Sequence, residues 1–97
     1  MATISSDVLA SYAADAAREV GGVHGLVERA LPRHKGVRIA NDDGRLRVEL
    51  HLAVEWGASI PAVGREVQRG VAAYLRRMAN VEPEAVDVIV DEIGQPS

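Results

Sequence analysis

The clearest pattern in the sequence is a period of two over residues 46–56, with one face apolar and the other mostly charged. This period of two is typical of a β-strand with one buried and one solvated face. Residues 41–44 have the composition of a tight turn, so residues 36–40 are predicted to form the other strand of a hairpin. The apolar positions of the long strand, expected to face the core, are Leu46, Val48, Leu50, Leu52, Val54 and Trp56.

A helical pattern follows directly. Ser59 is a favourable N-cap, and Pro61 fits the first turn, where no helical amide partner is lost. Glycine inside a helix costs up to about 1 kcal/mol relative to alanine, so Gly64 and Gly70 are expected to allow a close backbone approach. The apolar face of this helix recurs every three or four residues, at Ile60, Val63, Val67, Val71, Tyr74, Leu75 and Met78.

The remaining segments complete a small α+β domain. A first helix is predicted from residues 5–7 to Val20, with Gly21 and Gly22 ending it. Residues 1–4 are predicted as a short edge strand, residues 26–31 as one or two helical turns, and residues 84–93 as a final strand. We therefore expect one domain over residues 1–97, a two-layer sandwich of a three- to four-stranded sheet with two helices on one face. The pattern does not determine the strand order.

Composition narrows the functional classes. The chain has 97 residues, a net charge of −3 and no cysteine. The charge argues against general nucleic-acid binding, and the lack of cysteine excludes disulfides and thiolate metal sites. No apolar run reaches the ~20 residues that span a bilayer, and the first residues lack the pattern of a signal peptide. A cytoplasmic protein without a transmembrane segment is expected.

Few residues suggest catalysis. Ser59 follows Gly57 and Ala58 between a strand and a helix, as a nucleophile elbow does, but Pro61 replaces the closing glycine of that motif. An N-cap role is therefore favoured, and a small hydrolase centred on Ser59 is the least favoured hypothesis.

Metal and cofactor sites are not indicated either. The three histidines, His24, His34 and His51, lack metal-ligand spacing, and His51 is expected to be solvated on the polar strand face. The acidic residues of the last strand are interpreted as solubilising charges. The sequence thus predicts no catalytic residue, no metal site and no cofactor.

Two surface features are candidate binding sites. Gly22, Val23, His24 and Gly25 form a G-x-x-G sequence, the motif with which KH domains clamp a nucleic-acid backbone, although no basic residue lies between the glycines. A KH-like RNA-binding module is therefore the alternative functional hypothesis.

The other feature is a stripe of arginines, Arg65, Arg69 and Arg76, on the side of the long helix opposite its apolar face. Two interpretations remain open. The stripe is either a solvated helix back paired with nearby carboxylates, or a docking surface for an acidic partner segment or anionic headgroups.

Several stretches of the chain together form one recognisable pattern. Its most specific part is the passage from Gly57 to Ile60 and Pro61 at the start of the long helix, followed by Glu66, Val67 and Gln68. Its other residues are Ile4, Ser5, Val8, Ala13, Ala16, Ala17, Glu19, Val20, Gly22, Val23, Gly25, Leu26, Gly36, Val37, Val54, Glu55, Trp56, Val63, Val71 and the valines of the last strand. With these residues the chain resembles, over nearly its whole length, the alkaline shock protein family, the envelope-stress-response domain of bacteria.

This resemblance implies a non-enzymatic cytoplasmic protein that contributes to cell-envelope homeostasis. Some members of the family self-associate into a layer beneath the membrane, where a membrane-protein partner tethers them. The expected function is thus a protein-interaction or self-association module near the membrane, with a protein partner, membrane-anchored in some members, and homo-oligomerisation. The resemblance carries over no catalytic residues.

Overall fold

The computed structural model describes residues 5–28 and 35–95. The elements in chain order are α1 (Ser6–Arg18), β1 (Val23–Leu26), β2 (Val37–Asp42), β3 (Arg45–Val54), α2 (Ile60–Ala79) and β4 (Ala85–Ile93). Both helices pack on one face of a four-stranded sheet, which confirms the predicted α+β two-layer sandwich. The edge strand predicted for residues 1–4 lies outside the described residues.

The sheet is built around β3. On one edge of β3, β2 pairs antiparallel with residues 45–50 and β1 pairs antiparallel with residues 52–54. On the other edge, β4 runs parallel to β3 along residues 47–54. Because a parallel pair requires a crossover connection, α2 lies between β3 and β4 in the chain.

The structure corrects the prediction for the segment after α1. Residues 23–26 form strand β1, and Leu26, expected to begin a helical turn, pairs with Leu52. Four residues with one glycine are too few to show a period, and a register shift between Val23 and Gly25 interrupts the alternation. Pairing with β3, which is distant in sequence, determines this strand. The rest of the predicted turn, residues 29–34, lies outside the described residues.

The core consists of aliphatic side chains from both layers. All five apolar positions of β3 from Leu46 to Val54 are buried, as the alternation predicts. Full burial of such a side chain stabilises a fold by roughly 1.5–3 kcal/mol. From the helices, the core receives Leu9, Ala10, Ala13, Ala14, Ala16, Ala17, Val63, Val67, Val71 and Leu75.

Three residues predicted for the core are exposed instead. Trp56 lies beyond the end of β3, while Ile60 and Met78 occupy the first and last turns of α2. The amphipathic pattern of the sequence continues through these end positions, although their side chains are largely uncovered.

Alanines bring α1 close to α2. The two helices are further joined by an edge-to-face contact between Tyr12 and Tyr74, with ring centroids 5.9 Å apart. A Cβ placed on Gly70 would lie 3.7 Å from a methyl of Val20, an ordinary van der Waals distance to a side chain, so the expected close backbone approach at Gly70 is wrong. A Cβ on Gly64 would meet nothing within 4 Å, so the expected close approach at Gly64 is wrong.

Candidate functional site

The sheet face opposite the helices carries a series of charge pairs between β3 and β4. Arg47 of β3 contacts Asp87 of β4 at 3.4 Å, and Arg45 approaches Glu84 at 3.6 Å. These side chains are between 45% and 73% exposed, so each pair is worth about 0–1 kcal/mol. The polar face of β3 is thus matched in charge to the strand beside it.

His51 lies at the centre of a tighter cluster on this face. Its Nδ1 is 2.6 Å from Oδ2 of Asp91, and its Nε2 is 2.8 Å from Oε2 of Glu49. Only a protonated imidazole donates from both nitrogens, and carboxylates can only accept. Burial lowers the pKa of His51, but the hydrogen bonds to Glu49 and Asp91 outweigh this effect and raise the pKa above its ordinary value.

The solvated state predicted for His51 is therefore wrong, because its side chain is only 16% exposed. Glu49 lies two residues before His51 on the same strand face, so its contact with His51 could be predicted from the alternation in β3. Asp91 comes from β4, and only the register between β3 and β4 places it beside His51. The sequence alone does not contain that register.

Within residues 5–28 and 35–95, the structure contains no cluster of acidic or histidine side chains suited to a metal ion. The same ranges contain no buried side-chain donor or acceptor without a partner. The hydroxyl of Ser59 accepts a hydrogen bond from the backbone N–H of Ala62 at 3.3 Å, so its N-cap role is confirmed. His34 lies outside the described residues.

The Gly22–Gly25 segment differs from the arrangement that the RNA-binding hypothesis requires. Gly22 has a positive φ of 94° at the turn into β1, and Val23 and Gly25 pair with Val54 and Ala53 of β3. The segment therefore enters a strand and does not form a loop between two helices. His24 points away from the core and is exposed.

The arginine stripe lies on the exposed side of α2, as the helical period predicts. Arg69 contacts Glu66 at 2.8 Å, and Arg76 contacts Glu82 at 3.4 Å. Within the described ranges, Arg65 makes no ion pair. If the stripe is a solvated helix back, its arginines are expected to pair with nearby carboxylates, as Arg69 and Arg76 do. The interpretation of the stripe as a docking surface remains a prediction.

An exposed apolar cluster at one end of the sheet was not anticipated from the sequence. Trp56 is 65% exposed, Ile93 at the end of β4 is 52% exposed, and Ile60 at the start of α2 is 40% exposed. These three side chains, hereafter the Trp56 cluster, line a shallow open cavity of about 240 Å³ with Val54, Glu55, Gly57 and Ala58. The apolar residues of the cluster come from three parts of the fold, so no single period shows it.

Neither described helix is long and apolar enough to span a bilayer.

Structural comparison finds the same fold in MamM CTD variants. One variant aligns with a TM-score of 0.67 at 17% identity, covering 94% of this chain and 88% of that chain. Another, in a manganese form, aligns with a TM-score of 0.58 at 16% identity, covering 89% of this chain and 96% of that chain. At these identities the likeness shows the fold alone.

Sequence comparison identifies the family. The uncharacterized protein Spy1535 of Streptococcus pyogenes serotype M6 is 28% identical over 98 residues, which cover 93% of this chain and 76% of that protein. Residues 1–95 match the model of the alkaline shock protein family, described as having a cell envelope-related function. The resemblance noted from the sequence is thereby confirmed, and the chain belongs to this family of envelope-related proteins.

Proposed function

We propose that this domain is a non-enzymatic protein-binding module within the envelope-related function of its family, and that the Trp56 cluster is its principal docking surface. The observation that carries the proposal is the exposure of Trp56. This residue is the only tryptophan in the chain, and it lies on the surface while the core is aliphatic. Tryptophan is strongly enriched among residues that dominate binding energy at protein interfaces.

The surroundings of Trp56 support docking. Trp56, Ile60 and Ile93 line the same cavity and are all exposed, and exposed apolar side chains grouped in this way mark interaction sites. The partner is proposed to be a protein at the envelope, reached from the cytoplasm, with self-association as a further mode. The chemistry of the described residues supports binding better than catalysis, because ionisable groups of the sheet face are engaged in pairs.

The arginine stripe is kept as a second docking surface, for an acidic partner segment or anionic headgroups. Arg65 favours it, since this side chain is exposed and makes no ion pair within residues 5–28 and 35–95. Arginine suits both ligands because its planar fork binds carboxylate or phosphate through two hydrogen bonds.

A cross-linked pull-down from cells tests the proposal. Trp56→Ala should keep the fold, because the side chain is largely exposed, and should lose captured partners that the parent chain retains. Met78→Ala is the matched control, since Met78 is 45% exposed at the other end of α2. The Arg65, Arg69 and Arg76 to glutamine triple variant tests the second surface. Equal recovery of partners by Trp56→Ala and the parent would exclude the Trp56 cluster as the docking site.

A further inference from the structure

β4 pairs with β3 along one edge, and within residues 5–28 and 35–95 no strand pairs with its other edge. One backbone carbonyl of β4, that of Val86, accepts a hydrogen bond from the side-chain amide of Gln68 at 3.0 Å. An open edge presents a row of backbone donors and acceptors that another extended chain can continue. With nine residues, β4 is long enough to hold a partner strand over several hydrogen bonds.

The apolar side of this edge is incompletely covered. Val86, Val88 and Val90 pair in register with Val48, Leu50 and Leu52 of β3 and belong to the same layer beneath α2. The three β3 residues are fully buried, whereas the three valines of β4 remain partly exposed. An added strand with apolar residues at the facing positions would complete their burial.

The other side of the edge is acidic. From residue 78 onward the sequence contains five carboxylate side chains and no lysine or arginine: Glu82, Glu84, Asp87, Asp91 and Glu92. Asp87 and Asp91 lie on the open sheet face, and their contacts with Arg47 and His51 each engage Oδ2. Oδ1 of each carboxylate is thus available to a donor on an adjacent strand.

We propose that the outer edge of β4 binds an extended segment of a partner protein in which apolar residues alternate with lysine or arginine. The segment adds a fifth strand to the sheet. Its apolar residues pack beside Val86, Val88 and Val90, and its basic residues lie opposite Asp87 and Asp91, since successive strand residues face opposite sides. Strand addition gains affinity from backbone hydrogen bonds and specificity from alternate side chains.

Charge also disfavours a second copy of β4 as the occupant. An antiparallel pair of β4 strands that preserves the apolar face and is centred on Ile89 would place Asp87 of each copy across from Asp91 of the other. Like charges opposite each other in a sheet are destabilising. The inference rests on the proposed function, because it names the chemistry of a segment that such a protein partner would carry.

Four capped nine-residue peptides test the proposal by their effect on the backbone amide signals of β4 in NMR spectra. The first alternates lysine and valine, and the second replaces each lysine by glutamate. The third and fourth repeat the first but carry N-methyl groups on the valine amides or on the lysine amides. The lysine–valine peptide should shift the β4 signals, with affinity falling as salt rises. The glutamate peptide should not bind.

Because amides of alternate residues point to opposite edges of a strand, only one of the two methylated peptides should lose binding. Asp87→Asn should weaken binding of the lysine–valine peptide by up to about fivefold. Asp42→Asn, at the opposite edge of the sheet on β2, is the matched control and should leave the affinity unchanged.

Failure of the lysine–valine peptide to shift the β4 signals would overturn the proposal, as would equal binding of the glutamate peptide or of both methylated peptides. Signals of β4 that shift with protein concentration alone would assign the edge to a second copy and overturn it as well. These results are independent of the Trp56→Ala pull-down, so the strand-addition proposal can fail while the proposed function stands.

Discussion

At the scale of single residues, Gly22 shows how one backbone conformation directs the chain into the sheet. Its φ of 94° turns the chain from the end of α1 into β1. Its carbonyl accepts a hydrogen bond from the N–H of Glu55 at 2.8 Å, next to the end of β3. A Cβ at this position would lie 2.6 Å from a methyl of Val63 on α2. Both conformation and space therefore require glycine.

We expect Gly22→Ala to destabilise the domain by about 1–3 kcal/mol, from the strained left-handed backbone and the contact with Val63. Urea unfolding followed by circular dichroism measures the difference. Gly21→Ala is the matched control, because a Cβ on Gly21 meets nothing within 4 Å and should change stability little. Similar stabilities for the two variants would mean that the turn does not depend on Gly22.

His51 makes stability depend on pH. Its folded-state pKa is raised above the unfolded value of about 6.5, so the folded state binds more protons. The contribution of His51 is complete below about pH 6.5 and is lost as pH rises through the folded-state pKa. As the pH rises from about 6.5 through the folded-state pKa of His51, we expect the free energy of unfolding to fall in the parent chain. In the His51→Gln variant it should fall less over the same pH range.

Urea unfolding at a series of pH values measures this dependence, and NMR titration of the His51 ring gives the folded-state pKa directly. His24→Gln is the control, because His24 is exposed and takes no part in the carboxylate cluster. A titration midpoint at or below that of a free histidine would contradict the protonated cluster.

At the scale of elements, α2 shows where a helical pattern predicts packing and where it does not. Val63, Val67, Val71 and Leu75 are buried as their spacing predicts, and the N-cap at Ser59 sets the start of the helix. The end residues Ile60 and Met78 fit the same period, but their side chains are exposed. Spacing therefore predicts the face of a helix, while tertiary structure determines how much of that face is covered.

Gly64 in α2 provides an element-scale prediction. Because no atom outside the helix backbone lies within 4 Å of a Cβ there, helix propensity should dominate the effect of substitution. Gly64→Ala should stabilise the domain by up to about 1 kcal/mol. Ala72→Gly, the reverse change two turns later at another half-exposed position, should cost a similar amount. Thermal unfolding measures both, and a destabilised Gly64→Ala protein would show that a neighbour packs closely against Gly64 in solution.

At the scale of the whole molecule, the two-layer architecture and five of the six described elements were predictable from the sequence. Periods of two and 3.6 residues depend only on local geometry, so β3 and α2 are evident from spacing. Strand β1 was not predictable, because its four residues depend on pairing with residues 52–54 of β3. The Trp56 cluster and the Asp91–His51 contact were missed for the same reason, since segments distant in sequence assemble them.

The strands that pair with β3 differ in how much chain entropy is lost when each pair forms. Partners in the β2–β3 hairpin begin three residues apart, at Asp42 and Arg45, whereas β3 and β4 first pair between Arg47 and Ala85, 85 − 47 = 38 residues apart. The entropic cost of closing a loop grows with its length, so joining β4 to β3 is the costliest strand association in the described sheet. The contacts Arg47–Asp87 and His51–Asp91 lie along this junction. These polar contacts thus offset part of the chain entropy that is lost when β4 pairs with β3.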